Sequence, residues 1–357
     1  MKAKIALLAG DGIGPEIMAE GVKVLETTAK RFGHDFELTT APIGGEAIDK
    51  KGDPYPRETH EICRSADAVL FGAIGDPRYD NDPGAKIRPE QGLLAMRKGL
   101  GLYANLRPVK TFPSLFSHSP LKDDRLQGVD FLVVRELTGG IYFGEPRGLS
   151  ENGEKAFDTC SYSSMEVKRV ARMAMGLARK RSGKICMVDK ANVLATSRLW
   201  RREMQLMAAE NPDVMVEYLF VDNAAMQLIL RPNQFDVILT ENMFGDILTD
   251  EASVLPGSIG LLPSASVGDS TAVFEPIHGS FPEGAGKGIA NPYGMIRSVA
   301  MMLDIQFGLN KEATLIERAV ENALEQKIGT PDLFSESPLS TEKAGQWIAD
   351  FVNKEGN

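Results

Sequence analysis

A chain of 357 residues with 43% hydrophobic and 25% charged residues has the composition of a globular protein, and its length predicts two domains or one large α/β unit. Its net charge of −9 at pH 7 argues against nucleic acid or an anionic membrane as a partner, since both attract basic surfaces. An anionic substrate would therefore need a local cluster of arginines.

The cysteines and the opening residues bear on the compartment of the protein. Cys63, Cys160 and Cys186 are odd in number and have no CxxC spacing, so we expect buried free thiols in a reducing compartment. The opening MKAKIALLAGDG has too short an apolar run for a targeting signal, and no apolar run is long enough to span a membrane. These features predict a cytoplasmic protein.

Short apolar runs alternate with longer helical periods along the chain, which is typical of parallel strands joined by helices. A helix is predicted after GDGIGPE (10–16), where apolar side chains recur every three or four residues and Pro15 lies in the first turn. The predicted strands are IALLA (5–9), AVLFGAI (68–74), FLVV (131–134), ICMV (185–188), VEYLFV (216–221), DVILT (236–240) and the start of VFEPIHGS (273–280). The other predicted helices are 165–181, 194–210, 292–307 and 312–326.

The segment GDGIGPE differs from the dinucleotide-binding fingerprint of a simple Rossmann fold. Gly10, Gly12 and Gly14 give the spacing G-x-G-x-G, and Pro15 follows where the third glycine spacing fails. No acidic residue ends a second strand at the expected distance. We therefore predict a tight strand-to-helix turn that lines a cleft.

Four predicted strands run directly into charged residues. FLVV is followed by Arg135, ICMV by Asp189 and Lys190, VEYLFV by Asp222, and DVILT by Glu241. The carboxyl edge of an open α/β sheet is where ligands bind. Any one strand can become polar merely because it leaves the core, but four cases together favour a ligand site.

Arg97, Arg107 and Arg135 are candidate ligands for a substrate carboxylate. The guanidinium is planar and offers paired donors that match a carboxylate. Each arginine taken alone is better explained as a surface or ion-pair residue than as a ligand. Arg135 is the hardest to explain in that way, because it follows a continuous apolar strand.

Tyr142 and Lys190 are candidate acid and base. Tyr142 lies in TGGIYFGEPRG (138–148), where it is either a general acid or a hairpin tyrosine that packs and hydrogen-bonds locally. Lys190 follows a buried strand, where loss of solvation suits a general base. An ion pair with Asp189 is the competing explanation.

The stretch FGDILTD (244–250) places Asp246 and Asp250 one helical turn apart, where like charges repel. Water, a basic side chain or a metal ion must compensate. Together with Asp222 they offer hard oxygen ligands that suit Mg²⁺ or Mn²⁺, whereas four histidines and no paired cysteines argue against zinc. Alternatively, Asp246 lies in a first helical turn and only favours the helix dipole, which leaves Asp250 unexplained.

These motifs follow one another as they do in the 3-isopropylmalate dehydrogenases, and the chain resembles that family of β-decarboxylating dehydrogenases over nearly its whole length. The motifs are GDGIGPE, RPEQGLLAMRK, NLRP, VRELTGGIYFGEPRG, VDKANV, FGDILTD and EPIHGS…GKGIANP. The resemblance implies NAD-dependent oxidative decarboxylation of 3-isopropylmalate to 4-methyl-2-oxopentanoate, a step of leucine biosynthesis. It also implies the α/β isopropylmalate/isocitrate dehydrogenase fold, with two domains around a large mixed, largely parallel sheet. The discontinuous NAD-binding domain would be 1–102 and 257–357, and the dimerisation and metal/substrate domain 103–256.

The resemblance further implies roles for individual residues. Lys190 would be the base, Tyr142 the acid, and Asp222 a neighbour of the base. The active site would be shared across a homodimer, so that Lys190, Val193 and Asp222 reach the substrate of the other subunit. The carboxylate-binding residues would be Arg97, Arg107 and Arg135, and the ligands of Mg²⁺ or Mn²⁺ would be Asp222, Asp246 and Asp250.

Substrate choice in this superfamily depends on the helix that carries RPEQGLLAMRK. Isocitrate enzymes have a serine and an asparagine there, whereas this chain has Glu90, Leu93 and Leu94. The glutamate would repel a third carboxylate, and the leucines would bury an isopropyl group.

Cofactor choice is implied by Glu283, which accepts hydrogen bonds from a ribose diol and repels a 2′-phosphate, so NAD is expected. This chain has Phe281-Pro282-Glu283 where isopropylmalate enzymes commonly have Ala-Pro-Asp. The long loop that follows the last predicted strand is expected to be functional, although a lone histidine such as His278 is more often structural than functional. The expected cofactor contacts are Glu275, His278, Gly279, Ser280, Glu283 and Asn291.

Two alternatives remain. The first is a related enzyme that acts on tartrate, malate or homoisocitrate. The second is a catalytically silent binding subunit, against which the complete set of candidate catalytic side chains argues.

Overall fold

The structure is a computed structural model that describes residues 1–80 and 87–354, in which strands and helices alternate. The strands are β1 (Lys2–Gly10), β2 (Asp35–Thr40), β3 (Ala68–Ala73), β4 (Ala104–Lys110), β5 (Asp130–Glu136), β6 (Arg147–Leu149), β7 (Ala156–Asp158), β8 (Lys184–Asp189), β9 (Met215–Phe220), β10 (Val237–Thr240), β11 (Pro263–Val267) and β12 (Ala272–Pro276). The helices are α1 (Gly14–Phe32), α2 (Gly45–Lys51), α3 (Arg57–Ser65), α4 (Pro77–Asp80), α5 (Pro89–Gly99), α6 (Asp123–Leu126), α7 (Ser164–Arg179), α8 (Ala195–Glu210), α9 (Val221–Leu230), α10 (Asn242–Ala252), α11 (Tyr293–Met301), α12 (Asn310–Glu325) and α13 (Thr341–Lys354).

Every strand and helix predicted from the apolar pattern is present. The predicted helix 292–307 is α11 continued by a π-helical turn, Met302–Gln306, and the other boundaries differ by a few residues. The chain divides into two compact units, Met1–Leu102 with Gly257–Asn357, and Tyr103–Pro256, which we call unit 1 and unit 2.

Unit 1 carries a mixed, largely parallel sheet in the order β2-β1-β3-β12-β11. β1 pairs parallel with β2 and β3, β3 pairs parallel with β12, and only the β12–β11 pair is antiparallel. Helices α1, α11 and α13 pack together, and a second apolar cluster joins Leu8 and Phe71 of the strands to Cys63 of α3 and Met96 of α5. Every residue of β3 is buried, as expected for a central parallel strand.

The turn between β1 and α1 is as tight as GDGIGPE predicts. A side chain at Gly10, whose φ is +71°, would place its Cβ 1.9 Å from the carbonyl oxygen of Ala73, so only glycine fits. The buried carboxylate of Asp11 accepts hydrogen bonds from the backbone N–H groups of Gly45 (3.1 Å) and Gly75 (3.0 Å). These contacts hold three strand-to-helix loops of unit 1 against one another.

The strands of unit 2 have the order β4-β5-β10-β8-β9, again with mixed pairing. β4 is antiparallel to β5, and the β5–β10, β10–β8 and β8–β9 pairs are all parallel. Strands β6 and β7 form a separate hairpin on which Leu149 and Phe157 are exposed. The predicted α/β class with mixed, largely parallel sheet structure is confirmed.

The parallel pairing in unit 2 has a direct consequence for the charged residues that follow its strands. The carboxyl ends of β5, β10, β8 and β9 lie at one edge of the sheet, because Thr240 is in register with both Arg135 and Val188. The fold therefore gathers the charged residues that follow these strands along a single edge.

The sequence also predicts three buried free thiols and no apolar run long enough to span a membrane. Cys63 and Cys186 are buried and free, whereas Cys160 is free but only half-buried, contrary to the prediction. Among the described residues, no helix combines the length and the apolar character that crossing a membrane would require.

Candidate active site

The two aspartates of FGDILTD are compensated by arginines. Arg135 Nη1 lies 2.5 Å from Asp246 Oδ1, and Arg107 Nη1 lies 3.4 Å from Asp250 Oδ1. The side chain of Glu241 caps α10 by accepting the N–H of Phe244 (2.9 Å), so Asp246 falls in the second turn of the helix. The helix-dipole alternative for Asp246 is therefore wrong, since that effect is confined to the first turn.

Both arginines are held in fixed orientations from within unit 2. Arg135 is only 4% exposed, and its Nε donates to the backbone oxygen of Asn242 (2.9 Å). Arg107 Nε donates to Asn105 Oδ1 (2.8 Å), and Arg107 Nη1 donates to Thr249 Oγ1 (2.7 Å). A buried guanidinium is tolerated only when it is paired and hydrogen-bonded, and here these contacts also fix the direction in which it points.

Tyr142 reaches the same carboxylate as Arg135. It ends a short 3₁₀ turn, Gly140–Tyr142, and its hydroxyl donates to Asp246 Oδ2 (3.0 Å). The hairpin begins only at Arg147, so the alternative of a locally bonded hairpin tyrosine is wrong. Partial burial, and then the hydrogen bond to Asp246, raise the pKa of Tyr142, which keeps the phenol protonated.

Lys190 pairs with Asp222 at the ends of β8 and β9. The distance from Lys190 Nζ to Asp222 Oδ1 is 2.8 Å, and this hydrogen bond lowers the pKa of Asp222. Asp189 is instead paired with Arg201 through two 2.8 Å hydrogen bonds, so the competing Asp189–Lys190 ion pair is not formed. Val193, three residues after Lys190, presents an exposed apolar side chain in the next turn.

The three predicted metal ligands offer only carboxylate oxygens. Asp222 and Asp250 are exposed and Asp246 is half-buried. Within residues 1–80 and 87–354 of one chain, no three acidic, histidine or cysteine side chains come together as a metal site. The carboxylate oxygens suit Mg²⁺ or Mn²⁺. Within the described residues of one chain, however, the three aspartates do not come together.

In unit 1, the helix α5 carries the remaining predicted substrate residues. Arg97 Nη2 lies 3.3 Å from Glu275 Oε1, and the buried Arg97 Nε has no hydrogen-bond partner among the described residues. Glu90 is half-buried, Leu93 packs partly against the apolar cluster of unit 1, and Leu94 is 47% exposed. An orphaned donor beside exposed apolar surface fits a ligand that has both a carboxylate and an alkyl group.

A cavity of about 380 Å³ in unit 1 contains half of the predicted cofactor contacts. Its size and its largely apolar lining fit part of a nucleotide. Asp332 supplies a polar end, accepting hydrogen bonds from Ser258 Oγ (2.6 Å) and Asn291 Nδ2 (2.9 Å). The lining residues are Ile13, Ser258, Ile259, Gly260, His278, Gly279, Phe281, Ile289, Asn291 and Asp332.

His278 gives the cavity an unsatisfied polar group. Its Nε2 is buried and has no hydrogen-bond partner in the described part of the chain, and burial lowers the pKa of the ring, so that the imidazole is neutral. An orphaned imidazole nitrogen of this kind is normally satisfied by a ligand or a water molecule. The residues present therefore fit part of a bound dinucleotide.

The other predicted cofactor residues lie around the cavity. Buried Ser280 accepts the N–H of Ile13 through its backbone oxygen (2.8 Å), and Glu275 is the partner of Arg97. Glu283 is exposed on the 3₁₀ turn Pro282–Gly284 and is not one of the described residues that line the cavity. The motifs missed Ser258, Gly260 and Asp332, which come from segments without any recognisable pattern, whereas Ile13 lies in a turn predicted to line a cleft.

Comparison with known proteins identifies the family. Residues 4–348 match the model of the isocitrate/isopropylmalate dehydrogenase family. A 3-isopropylmalate dehydrogenase of Bacteroides fragilis is 53% identical over 356 residues, which cover 99% of this chain and 100% of the relative. One of Oleidesulfovibrio alaskensis is 57% identical over 341 residues, covering 94% and 95% of the two chains.

A solved structure agrees. The isocitrate dehydrogenase of Methylococcus capsulatus superposes with a TM-score of 0.87 at 35% identity, covering 99% of this chain and 100% of that chain. The resemblance inferred from the motifs is confirmed by these matches. The chain belongs to the isocitrate/isopropylmalate dehydrogenase family.

Proposed function

We propose that the protein catalyses the NAD-dependent oxidative decarboxylation of 3-isopropylmalate to 4-methyl-2-oxopentanoate in leucine biosynthesis. The observation that carries the proposal is the joint presence in unit 2 of a lysine–aspartate pair, a tyrosine and two arginines oriented by buried partners. Relatives more than half identical to this chain are named 3-isopropylmalate dehydrogenases. The free thiols suit a reducing compartment such as the cytoplasm.

The substrate would be recognised by charge and by shape. Arg97, Arg107 and Arg135 would bind its two carboxylates, while Leu93 and Leu94 would cover its isopropyl group. Burying that three-carbon branch contributes about 2 kcal/mol. Glu90 on the same helix would repel a third carboxylate, so isocitrate is disfavoured by an unpaired charge as well as by the lack of alkyl contacts.

The proposed reaction has two steps that use different residues, namely oxidation of the alcohol and protonation of the carbon that loses carbon dioxide. When bound, NAD supplies the hydride acceptor and a divalent cation held by Asp222, Asp246 and Asp250 supplies a Lewis acid. Lys190, oriented by Asp222, accepts the proton of the C2 hydroxyl on its amine nitrogen, while the hydrogen bonded to C2 leaves as hydride and a C2 carbonyl forms. Once carbon dioxide departs from C3, Tyr142 donates its hydroxyl proton to that carbon.

NAD is proposed over NADP on grounds of charge. His278 Nε2 and the Asp332 carboxylate would contact the nucleotide in the unit 1 cavity. Glu283, exposed beside the cavity residue Phe281, would repel a 2′-phosphate and accept a hydrogen bond from a ribose hydroxyl.

The direct test is NADH absorbance with purified protein, 3-isopropylmalate, NAD and Mg²⁺ or Mn²⁺. We expect NADH formation that stops with excess EDTA and returns with added metal, and slower turnover of malate, tartrate, isocitrate and homoisocitrate. Equal or faster turnover of one of these competitors would favour the related-enzyme alternative. Binding of NAD without turnover of any of them would favour the silent subunit, and full activity after chelation would remove the metal from the proposal.

A homodimer with a shared site is supported by an apolar surface on two helices that pack together in unit 2. Exposed apolar side chains lie along α9 and at α10, and a patch of this kind on a single chain is typical of an interface. The predicted ligands Asp222, Asp246 and Asp250 do not come together within the described residues of one chain, which also fits a metal site completed by a second copy. The exposed side chains are Met226, Ile229, Leu230, Ile247 and Val254.

Met226→Glu should convert the dimer to a monomer and remove most of the activity. The change buries an unpaired carboxylate in the proposed interface, which costs several kcal/mol. Met215→Glu is the matched control, because Met215 is 57% exposed and Met226 54% exposed, but Met215 begins β9 instead of lying on α9. Molar mass by light scattering decides the result, and a Met226→Glu protein that keeps the parent mass would refute this interface.

Phe281→Ala should raise the KM for NAD about 2- to 10-fold with the KM for 3-isopropylmalate unchanged, because the aromatic ring lines the cavity. Phe281 has a φ of +39°, so Phe281→Gly should lose the same contact but have a higher thermal midpoint than Phe281→Ala. Initial rates at varied NAD check the first expectation. An unchanged KM for NAD would exclude the ring from the cofactor site.

A further inference from the structure

Asn242, the first residue of α10, connects two of the proposed active-site residues through one buried amide. It is 1% exposed. Its Oδ1 accepts hydrogen bonds from Arg135 Nη2 (2.8 Å) and Nε (3.2 Å), and its Nδ2 donates to the backbone oxygen of Gly139 (3.1 Å). The oxygen end therefore touches an arginine, and the nitrogen end touches the turn that leads to Tyr142.

That turn determines where the Tyr142 hydroxyl lies. The tyrosine is 42% exposed, so packing around its ring constrains it weakly and its backbone must place it. Gly139 N–H donates to Glu136 Oε2 (2.8 Å), and Gly140 N–H donates to the Ser161 carbonyl (3.0 Å). The hydrogen bond from Asn242 fixes the carbonyl of Gly139, three residues before Tyr142.

The backbone of Asn242 is itself anchored. Its N–H donates to the Tyr162 hydroxyl (3.0 Å), which in turn donates to Glu241 Oε2 (3.1 Å). A Cβ on Gly139 or Gly140 would lie within 2.5 Å of the Tyr162 side chain, so the glycine pair lets the turn pack directly on this network. The amide of Asn242 consequently has little freedom to rotate or to shift.

We propose that Asn242 is a positioning residue that acts through Arg135 and Tyr142. Its amide oxygen orients the guanidinium that binds a substrate carboxylate, and its amide nitrogen orients the turn that presents the proton donor. The side chain of Asn242 thus sets the distance between the guanidinium of Arg135 and the hydroxyl of Tyr142. This inference rests on the proposed function, in which Arg135 and Tyr142 have those two roles.

Asn242→Asp isolates the nitrogen end, because aspartate has the same shape and keeps an oxygen towards Arg135. The adjacent guanidinium keeps the new carboxylate ionised, so an oxygen faces the Gly139 carbonyl where a donor stood, and the two repel. We expect product formation after carbon dioxide loss to slow about 10- to 100-fold relative to NADH formation, as for other residues that orient active groups. The KM for 3-isopropylmalate should also rise, because Arg135 is partly neutralised.

Asn105→Asp is the matched control for added charge. Asn105 is buried and accepts from Arg107 Nε (2.8 Å), so the change places the same charge beside the other arginine of unit 2. We expect a raised KM for 3-isopropylmalate and an unchanged ratio of 4-methyl-2-oxopentanoate formation to NADH formation.

The decisive experiment is a double-mutant cycle with Tyr142→Phe in single-turnover assays that follow NADH and 4-methyl-2-oxopentanoate separately. If Asn242 acts through Tyr142, adding Asn242→Asp to Tyr142→Phe lowers product formation little further. Additive losses, or a lower thermal midpoint with the ratio unchanged, would reduce Asn242 to a structural role.

A measurement without turnover separates this inference from the proposed function. Fluorotyrosine-labelled protein gives a fluorine resonance for Tyr142, assigned by its loss in Tyr142→Phe. That resonance should move in Asn242→Asp and stay in place in Asn105→Asp, whatever the substrate proves to be. An unmoved resonance would overturn the positioning role, whereas failure of the wild-type protein to oxidise 3-isopropylmalate would overturn only the proposed function.

Discussion

Lys190→Met should lose NADH formation from 3-isopropylmalate by about 10²- to 10⁴-fold, the range that a positioned proton acceptor contributes. Methionine keeps the length of the side chain and removes the amine that lies 2.8 Å from Asp222. The C2 hydroxyl then keeps its proton while the hydride must leave, so the first chemical step is the one that slows. Stopped-flow NADH absorbance at saturating NAD and substrate measures this step directly.

The control for Lys190→Met is Lys184→Met, which makes the same change at the other end of the same strand. We expect Lys184→Met to retain wild-type rates, and both variants to keep the wild-type thermal midpoint within a few degrees. Retained NADH production by Lys190→Met would remove the lysine from the mechanism. Loss of activity in both variants would point to strand β8 as a whole, not to the amine.

Tyr142→Phe should impair formation of 4-methyl-2-oxopentanoate far more than formation of NADH. The phenol is the group that would protonate C3 after carbon dioxide leaves, and its loss should slow that step by about 10²- to 10⁴-fold. Hydride transfer depends on Lys190 and should change little. Quenched-flow analysis of both products in one turnover compares the two steps within the same sample.

Tyr79→Phe is the control for Tyr142→Phe, because it also removes a tyrosine hydroxyl that donates to an aspartate, here Asp49 at 2.9 Å. It should leave both steps unchanged. Equal losses of oxidation and decarboxylation in Tyr142→Phe would contradict the assigned role. They would indicate instead that the phenol mainly holds Asp246 in place.

The sequence predicts the strands that are continuously apolar and misses those whose residues are small or polar. A continuous apolar run such as β3 is recognised as a strand from sequence alone. In contrast, β4 contains Arg107 and Pro108, and β11 consists mostly of small residues, so neither has a strand pattern. These two strands exist because neighbours hold them: β4 pairs with β5 from Ala104 to Lys110, and β11 pairs with β12. Pairing is a property of the tertiary structure, and no local pattern encodes it.

In the candidate site too, local features are predicted from sequence and the pairing of residues is not. The sequence predicts that charges follow neighbouring strands, but not which charges meet. Asp189 and Lys190 are adjacent in the chain, and yet Asp189, the last residue of β8, pairs with Arg201 of α8, while Lys190, just after the strand, pairs with Asp222 of α9. Likewise, the partner of Asp246 comes from a distant strand, so the helix pattern alone left water, arginine and metal equally open.

The ion pairs of unit 2 affect how a chain with a net charge of −9 can bind an anionic substrate. The pairs Arg135–Asp246 and Arg107–Asp250 cancel each other's charges while no substrate is bound. A dianionic hydroxy acid arriving with a divalent cation is also neutral as a set. When this set binds, the arginines pair with the substrate carboxylates and the aspartates pair with the metal cation. No charge is left unpaired, so the overall negative charge of the chain hardly opposes binding.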